Sequence, residues 1–349
     1  MKQNMSFSVI LVIFWGIFLF PTDNRPGITR VLSSPYFNTS FLRNYEQTYQ
    51  KLCADGFEPV SFTTQDGLTL HGLYLARPQA RSTVICCAGW LPGRKEGIAT
   101  FFPILPQDCN ILFFDARGHG KSDGWLWADV LWYGQQEYKD IIAAIDFVHN
   151  QNPCPIVLLG LCAGAFHATH AVLRLPDQSC IAGIIFDSGW VSVDTASCSV
   201  VQGRAQEYVM KSVAWLYGLP HYKEAKHTLL GSCISTIADW TIRLTHSVFF
   251  KWAFLYGDEQ TNLAKKIQNT DIEIPILFIH AYDDTCVAID AVQEFAQYMD
   301  HAMYWWIEDS SKHACNHLKY TVEYMDRVHT FIDFALKKRS ELCQVTKDI

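Results

Sequence analysis

A chain of 349 residues, 49% hydrophobic and 18% charged, can bury one large core. Single α/β domains commonly reach about 250 residues, so one domain with additions is expected rather than two. The net charge of −7 provides no basic footprint for nucleic acid, and "LKKRS" at 336–340 reads as a solvated helix end.

The N-terminal run "SFSVILVIFWGIFLF" (6–20), behind Lys2, is uncharged and strongly apolar. It is shorter than the roughly 20 residues of a spanning helix. A secretory core has about this length, but no A-x-A-like cleavage site follows in "PTDNRPG". An uncleaved membrane anchor over residues 1–22 is the first expectation, with a cleaved signal or a buried or interfacial helix as alternatives. Residues 23–56 form a polar, partly helical extension.

The main domain then runs over 57–340. "FEPVSFTTQDGLTLHGLYLARP" alternates apolar and polar residues around Asp66-Gly67, a hairpin signal. "STVICCAGW" and "CNILFFDARGHG" are continuous apolar runs ending in glycine-rich turns, the pattern of strands buried on both faces. A helix follows, with Tyr138, Ile141, Ile142, Ile145 and Val148 on one face. The alternation continues with a strand at Pro155–Gly160, a helix from Ala163 and a strand at Ile181–Phe186. After a long interruption come a strand at Ile274–His280, a helix at Ile289–Met299, a strand at Met303–Ile307 and a closing helix with Val322, Met325, Val328 and Ile332. Such alternation predicts an α/β fold, a mostly parallel, doubly wound sheet covered by helices on both faces. The interruption, about 190–273, is helical in pattern and carries Trp190, Trp215, Trp240 and Trp252, as an inserted cap would. A tail of 341–349 ends the chain.

Twelve cysteines follow no regular spacing, and no CxxC occurs. Cys86 and Cys87 are adjacent within a buried strand, where both cannot comfortably meet separate partners. Buried thiols are the better reading, which argues for a reducing compartment and a catalytic domain on the cytoplasmic side.

Gly160-Leu161-Cys162-Ala163-Gly164 lies between a buried strand and a helix. A turn this tight strains the backbone of its central residue, and flanking glycines avoid clashes. Cys162 is thereby lifted above the sheet, beside the positive end of the following helix, where negative charge is favoured. Here the chain resembles the α/β-hydrolase superfamily, in its esterase-, lysophospholipase- and serine-aminopeptidase-like branch, with cysteine where most members have serine. Dienelactone hydrolase is similar in using cysteine at this elbow. "FFDARGHGKSDG" (113–124) is similar to the family's D-x-R-G-x-G-x-S loop. "CAGW" (87–90) resembles its oxyanion turn, and "FIHAYDDTCV" (278–287) its acid loop. "SSKHACNH" (310–317) follows the last strand, where the family's histidine lies. The order nucleophile, acid, histidine matches the family. Ala88 stands where the family usually has histidine and Ala281 where it has glycine; neither position supplies catalytic atoms in the family's mechanism.

The resemblance implies Cys162 as nucleophile, Asp284 as acid, His313 as base and the backbone N–H groups of Trp90 and Ala163 as oxyanion hole. Asp283 and Asp187 compete for the acid, Asp187 reading otherwise as a strand-end structural residue. His317 competes for the base. The His313/His317 pair at i,i+4 could share a helix face and bind metal, but lacks an intervening H-E-x-x-H glutamate and an evident third ligand. Arg117 and His119 read as loop scaffolding, His167 and His170 as packing residues. The implied activity is acyl transfer from an ester or thioester to water, on a small-molecule or lipid-like acyl substrate, with no metal or organic cofactor required. The alternative is a catalytically inactive hydrolase fold serving as a membrane-anchored binding module.

Overall fold

A computed structural model describes residues 39–89, 99–124, 135–192, 262–267, 272–284, 286–308 and 313–345, with short stretches between 213 and 244. Helix α1 (Thr39–Ala54) leads into an antiparallel hairpin of β1 (Glu58–Thr63) and β2 (Thr69–Leu75). Its turn is set by Thr64, which donates to Asp66 at 2.6 Å and accepts the Leu68 N–H at 3.0 Å, and by Gly67 at φ +86°.

Strands β3 (Ser82–Cys87), β4 (Cys109–Phe114), β5 (Ile156–Leu161), β6 (Ile181–Asp187), β7 (Ile276–Ala281) and β8 (Ala302–Ile307) complete an eight-stranded sheet of order β1-β2-β4-β3-β5-β6-β7-β8. All pairings from β4 onward are parallel. The helices between and after them are α2 (Tyr138–Gln151), α3 (Ala163–Val172), α4 (Leu263–Ile267), α5 (Ile289–Ala296), α6 (Asn316–Lys319) and α7 (Thr321–Val345).

Every residue of β3, β4, β6 and β7 is buried, which explains why these strands read as continuous apolar runs. Alternate side chains feed two layers. Ile85, Leu112, Leu158, Ile184 and Phe278 pack with Ile142 and Phe166 of α2 and α3. Val84, Ile111, Val157, Ile185 and Leu277 pack with Phe101 and with Tyr324, Val328 and Phe331 of α7.

Several boundaries differ from the sequence reading, most by one residue; three differ by more. Strand β7 starts at Ile276 rather than Ile274, because Pro275 has no N–H for the ladder and contributes only its carbonyl, which accepts the Ile184 N–H at 3.0 Å. Helix α5 ends at Ala296, since the next three amides turn back to carbonyls three residues earlier, at 3.2 Å each. Helix α7 continues to Val345, past the expected tail boundary at 340.

Between β6 and β7 the chain makes a long excursion, near whose ends Ser192 and Asn262 form an isolated antiparallel bridge. Beside it the Leu263 N–H donates to the Val191 carbonyl at 2.8 Å. Most of the expected cap lies outside the described residues, Trp252 included. Of its described side chains Trp190 is buried, whereas Trp215, Leu216, Tyr217 and Trp240 are exposed. Residues 1–22 also lie outside the described residues. Among those described, no helix is long and apolar enough to cross a membrane.

Candidate active site

Strand β5 delivers Cys162 into a turn at φ +56°, ψ −122°, a backbone region that costs an L-residue of order 1–3 kcal/mol and persists only where the surroundings enforce it. The enforcing contacts are local. The Cys162 N–H donates to the Asp187 carbonyl at 2.8 Å, tying the turn to β6, and the Cys162 carbonyl accepts the Ala165 N–H at 3.1 Å. A Cβ at Gly164 would collide with the Cys87 carbonyl and lie 2.6 Å from that of Ala88. A Cβ at Gly160 would lie 2.6 Å from the Ala165 nitrogen. Both glycines therefore allow close approach of backbones around the elbow. Ala163 opens α3, so its N–H belongs to the helix start, where amides have no partner within the helix. Trp90, the other expected oxyanion donor, lies outside the described residues.

Asp284 follows β7. Its Oδ1 accepts the backbone N–H groups of Cys286 at 2.8 Å and Val287 at 3.0 Å, which orients the carboxylate. Its side chain is only 1% exposed. His313, in the loop after β8, donates from Nδ1 to Asp284 Oδ2 at 2.8 Å, with Oδ1 at 3.0 Å. The opposite nitrogen, Nε2, lies 3.0 Å from Cys162 Sγ. The structure thus brings Cys162, His313 and Asp284 into one hydrogen-bonded line from the ends of three strands.

Burial alone would lower the pKa of His313, but the Cys162 sulfur and the Asp284 carboxylate outweigh it and hold the imidazole well above its ordinary value. Burial likewise opposes ionisation of Asp284, and the hydrogen bond and charge of His313 overcome it, holding the carboxyl below its usual range. Each partner therefore favours the charged form of the other.

The competing residues stand elsewhere. His317 meets Thr100 Oγ1 at 2.9 Å and stacks on Phe101 at 3.9 Å, and burial lowers its pKa to about 4. Asp283 is exposed. Asp187 is fully buried and accepts the Ser188 hydroxyl at 2.8 Å and the Tyr324 hydroxyl at 2.7 Å; burial raises its pKa to about 6. Arg117 joins Asp140 at 2.7 Å and Asp66 at 3.0 Å, tying the loop after β4 to α2 and the hairpin turn. His119 Nδ1 lies 2.9 Å from the Arg117 carbonyl. His167 is buried, which lowers its pKa to about 3, and His170 Nε2 accepts the Arg174 Nε–H at 2.9 Å.

Sequence reasoning missed two supports. His280, fully buried in β7, donates from Nε2 to the Val287 carbonyl at 3.0 Å and stands 3.9 Å from Asp284 Oδ2. A histidine inside an otherwise apolar strand was the available signal. Tyr324, on α7, carried none, because its partner Asp187 is 137 residues away.

Solved structures share this architecture. An esterase of Pyrococcus furiosus, Pf2001, superposes with a TM-score of 0.55 at 22% identity, covering 79% of this chain and 90% of that one. The esterase RhEst1 of Rhodococcus sp. ECU1013 gives 0.54 at 17%, covering 79% and 98%. The fold is that of an α/β-hydrolase. Residues 102–303, more than half of the chain, match the family described as serine aminopeptidase, S33. The chain belongs to this family of hydrolase enzymes. The matched stretch includes Cys162 and Asp284 and stops short of His313. Similar proteins include YfhR of Salmonella typhimurium, 31% identical over 166 residues, and YqkD of Bacillus subtilis, 21% identical over 267, both named as uncharacterized. The matches cover 42% and 76% of this chain. The chain spans about half (53%) of the Salmonella protein and 76% of the Bacillus one.

Proposed function

We propose that this protein hydrolyses carboxylic ester or thioester bonds through a covalent acyl-cysteine. The observation that carries the reading is the line Cys162 Sγ to His313 Nε2 at 3.0 Å and His313 Nδ1 to Asp284 Oδ2 at 2.8 Å, built on a strained elbow. His313 takes the Cys162 proton as the sulfur attacks the carbonyl carbon, and returns it to the departing alcohol or thiol. A water, deprotonated by His313, then attacks the acyl-cysteine carbonyl; the C–S bond breaks, the acid leaves, and the proton on His313 returns to the Cys162 sulfur. The N–H groups of Ala163 and Trp90 are the oxyanion donors in this reading, a role worth about 3 kcal/mol per donor in better-studied sites.

The substrate is apolar or lipid-like. Exposed Trp215, Leu216, Tyr217, Leu229, Ile237 and Trp240 along the insertion support this, as does the apolar run at 6–20, which we assign as a membrane anchor.

The test is para-nitrophenyl ester turnover by the purified protein and by Cys162→Ala. Turnover should vanish in the variant, and equal rates would end the assignment. Iodoacetamide labelling, mapped by peptide because eleven other cysteines are present, should track inactivation at the peptide containing Cys162. Fluorophosphonate probes should label poorly, and strong labelling at another residue would move the nucleophile there.

A further inference from the structure

One thiol at this site has no part in the acyl chemistry. Cys286, two residues beyond Asp284, offers its sulfur beside both Asp284 and His313: one ligand atom from each of the three lies within 4.8 Å of the other two. We infer that Asp284, Cys286 and His313 form a binding site for a thiophilic divalent cation such as zinc, and that occupation of this site switches the hydrolase off.

The donor set fits. Zinc takes carboxylate oxygen and imidazole nitrogen at about 2.0–2.2 Å and thiolate sulfur at about 2.3 Å, so tetrahedral ligands sit about 3.3–3.8 Å apart. The three donors, within 4.8 Å of one another, depart from that spacing by no more than about 1 Å. A mixed sulfur, nitrogen and oxygen set selects zinc, cobalt or cadmium over magnesium and calcium. With Cys286 as thiolate and His313 neutral, two negative charges balance the dication; the displaced protons pass to solvent.

The surroundings support the same role. The two backbone amides on Asp284 Oδ1 leave Oδ2 as the ligand oxygen and are themselves hydrogen bonds of the kind that orient metal ligands. Three protein ligands leave the fourth position to water. His313 and Cys286 are both partly exposed, giving an ion a side of approach. A cation on Nδ1 displaces the proton there and leaves the ring N–H on Nε2, so the imidazole can no longer take the Cys162 proton, and it also takes up the Asp284 carboxylate. Cys286 is thereby a handle by which metal availability governs the enzyme.

The inhibitory role rests on the acyl-hydrolase reading, so the test separates binding from activity. In the first arm, ester turnover of the full-length protein is titrated with chelator-buffered zinc, each variant being normalised to its own zinc-free rate. Zinc should inhibit the wild type, and EDTA should restore it. Loss of even supporting residues around a metal costs about 10–100-fold in affinity, so Cys286→Ala should shift the half-inhibitory zinc concentration by about tenfold or more. Unchanged inhibition in Cys286→Ala, or activation by zinc, would overturn the inference. In the second arm, cobalt chloride replaces zinc and the thiolate-to-cobalt charge-transfer absorption is read. It should persist in Cys162→Ala and fall by one site in Cys286→Ala, whether or not the protein turns over esters. Equal absorption in the two variants would likewise overturn it. Cys286→Ser, nearly isosteric, repeats both arms if the alanine variant does not fold.

Discussion

Two adjacent aspartates stand in different surroundings, and the proposed acid role falls on only one of them. Asp284 is buried and fixes the His313 tautomer through Nδ1, whereas Asp283 is exposed. Asp284→Asn keeps the shape but favours the wrong tautomer, an effect of about 10⁴ in kcat in the serine-protease precedent. We expect a loss of that order, with Asp283→Asn close to wild type. Ester kinetics on the two variants check this, and a reversed result moves the acid one residue upstream. Asp187 yields a second prediction, in stability. Its folded pKa of about 6 exceeds the ordinary 3.8, so the folded state binds the proton more tightly than the unfolded state. Its contribution is therefore fully present below about pH 4, is lost as pH rises through about 6, and is flat above. A shift of that size corresponds to roughly 3 kcal/mol. Denaturant melts between pH 4 and 8 should show this decline in wild type and a flatter profile in Asp187→Asn.

At the scale of elements, the elbow depends on how closely β3, β5 and α3 approach one another. Gly164→Ala places a Cβ against the Cys87 and Ala88 carbonyls, which are backbone atoms and cannot swing aside. Overpacking of this kind costs about 1–3 kcal/mol, and displacement of Cys162 from His313 should reduce turnover out of proportion to the loss in Tm. Gly67→Ala is the contrast. A Cβ there meets nothing within 4 Å, and only its φ of +86° is unfavourable, at about 1–2 kcal/mol. It should lower Tm and leave kcat unchanged. Paired thermal melts and kinetics separate the two cases. The elbow was legible in sequence because local sterics dictate its letters: glycine two residues to either side of the apex, after an apolar strand. The strand order was legible only as a class, since alternation specifies parallel pairing but not which neighbours pair. Ends such as Ile276 and Ala296 were set by a missing amide and a tightened turn, below the resolution of hydrophobic periodicity. Tyr324 escaped because it reaches Asp187 from a distant element; His280 lies within the acid-loop stretch itself, but its partner is a buried backbone carbonyl, which no local pattern specifies.

For the whole molecule, the apolar run at 6–20 and the insertion together predict where the enzyme works and on what. Deleting residues 1–22 should release the protein into the soluble fraction with its ester turnover intact, because the described sheet begins at Glu58. Recovery of the full-length chain as a detergent-free monomer would refute the anchor. On a series of para-nitrophenyl esters, kcat/KM should rise from acetyl to about octanoyl as successive methylenes are buried at about 0.8 kcal/mol each. A strict preference for acetyl would point to a small polar pocket.

The bridge between Ser192 and Asn262 bears on how such an enzyme diversifies. Strands β6 and β7, the second of which leads into Asp284, are joined by an excursion whose two ends are already fastened to each other. Chain length between fastened ends adds only slowly to the entropy of closure, about 0.6 kcal/mol per doubling. Residues 193–261 are therefore free to be lengthened, shortened or exchanged in evolution while the proposed triad keeps its place. On the proposed reading, a chimera carrying another family member's segment between Ser192 and Asn262 should inherit that donor's acyl preference with the recipient's nucleophile.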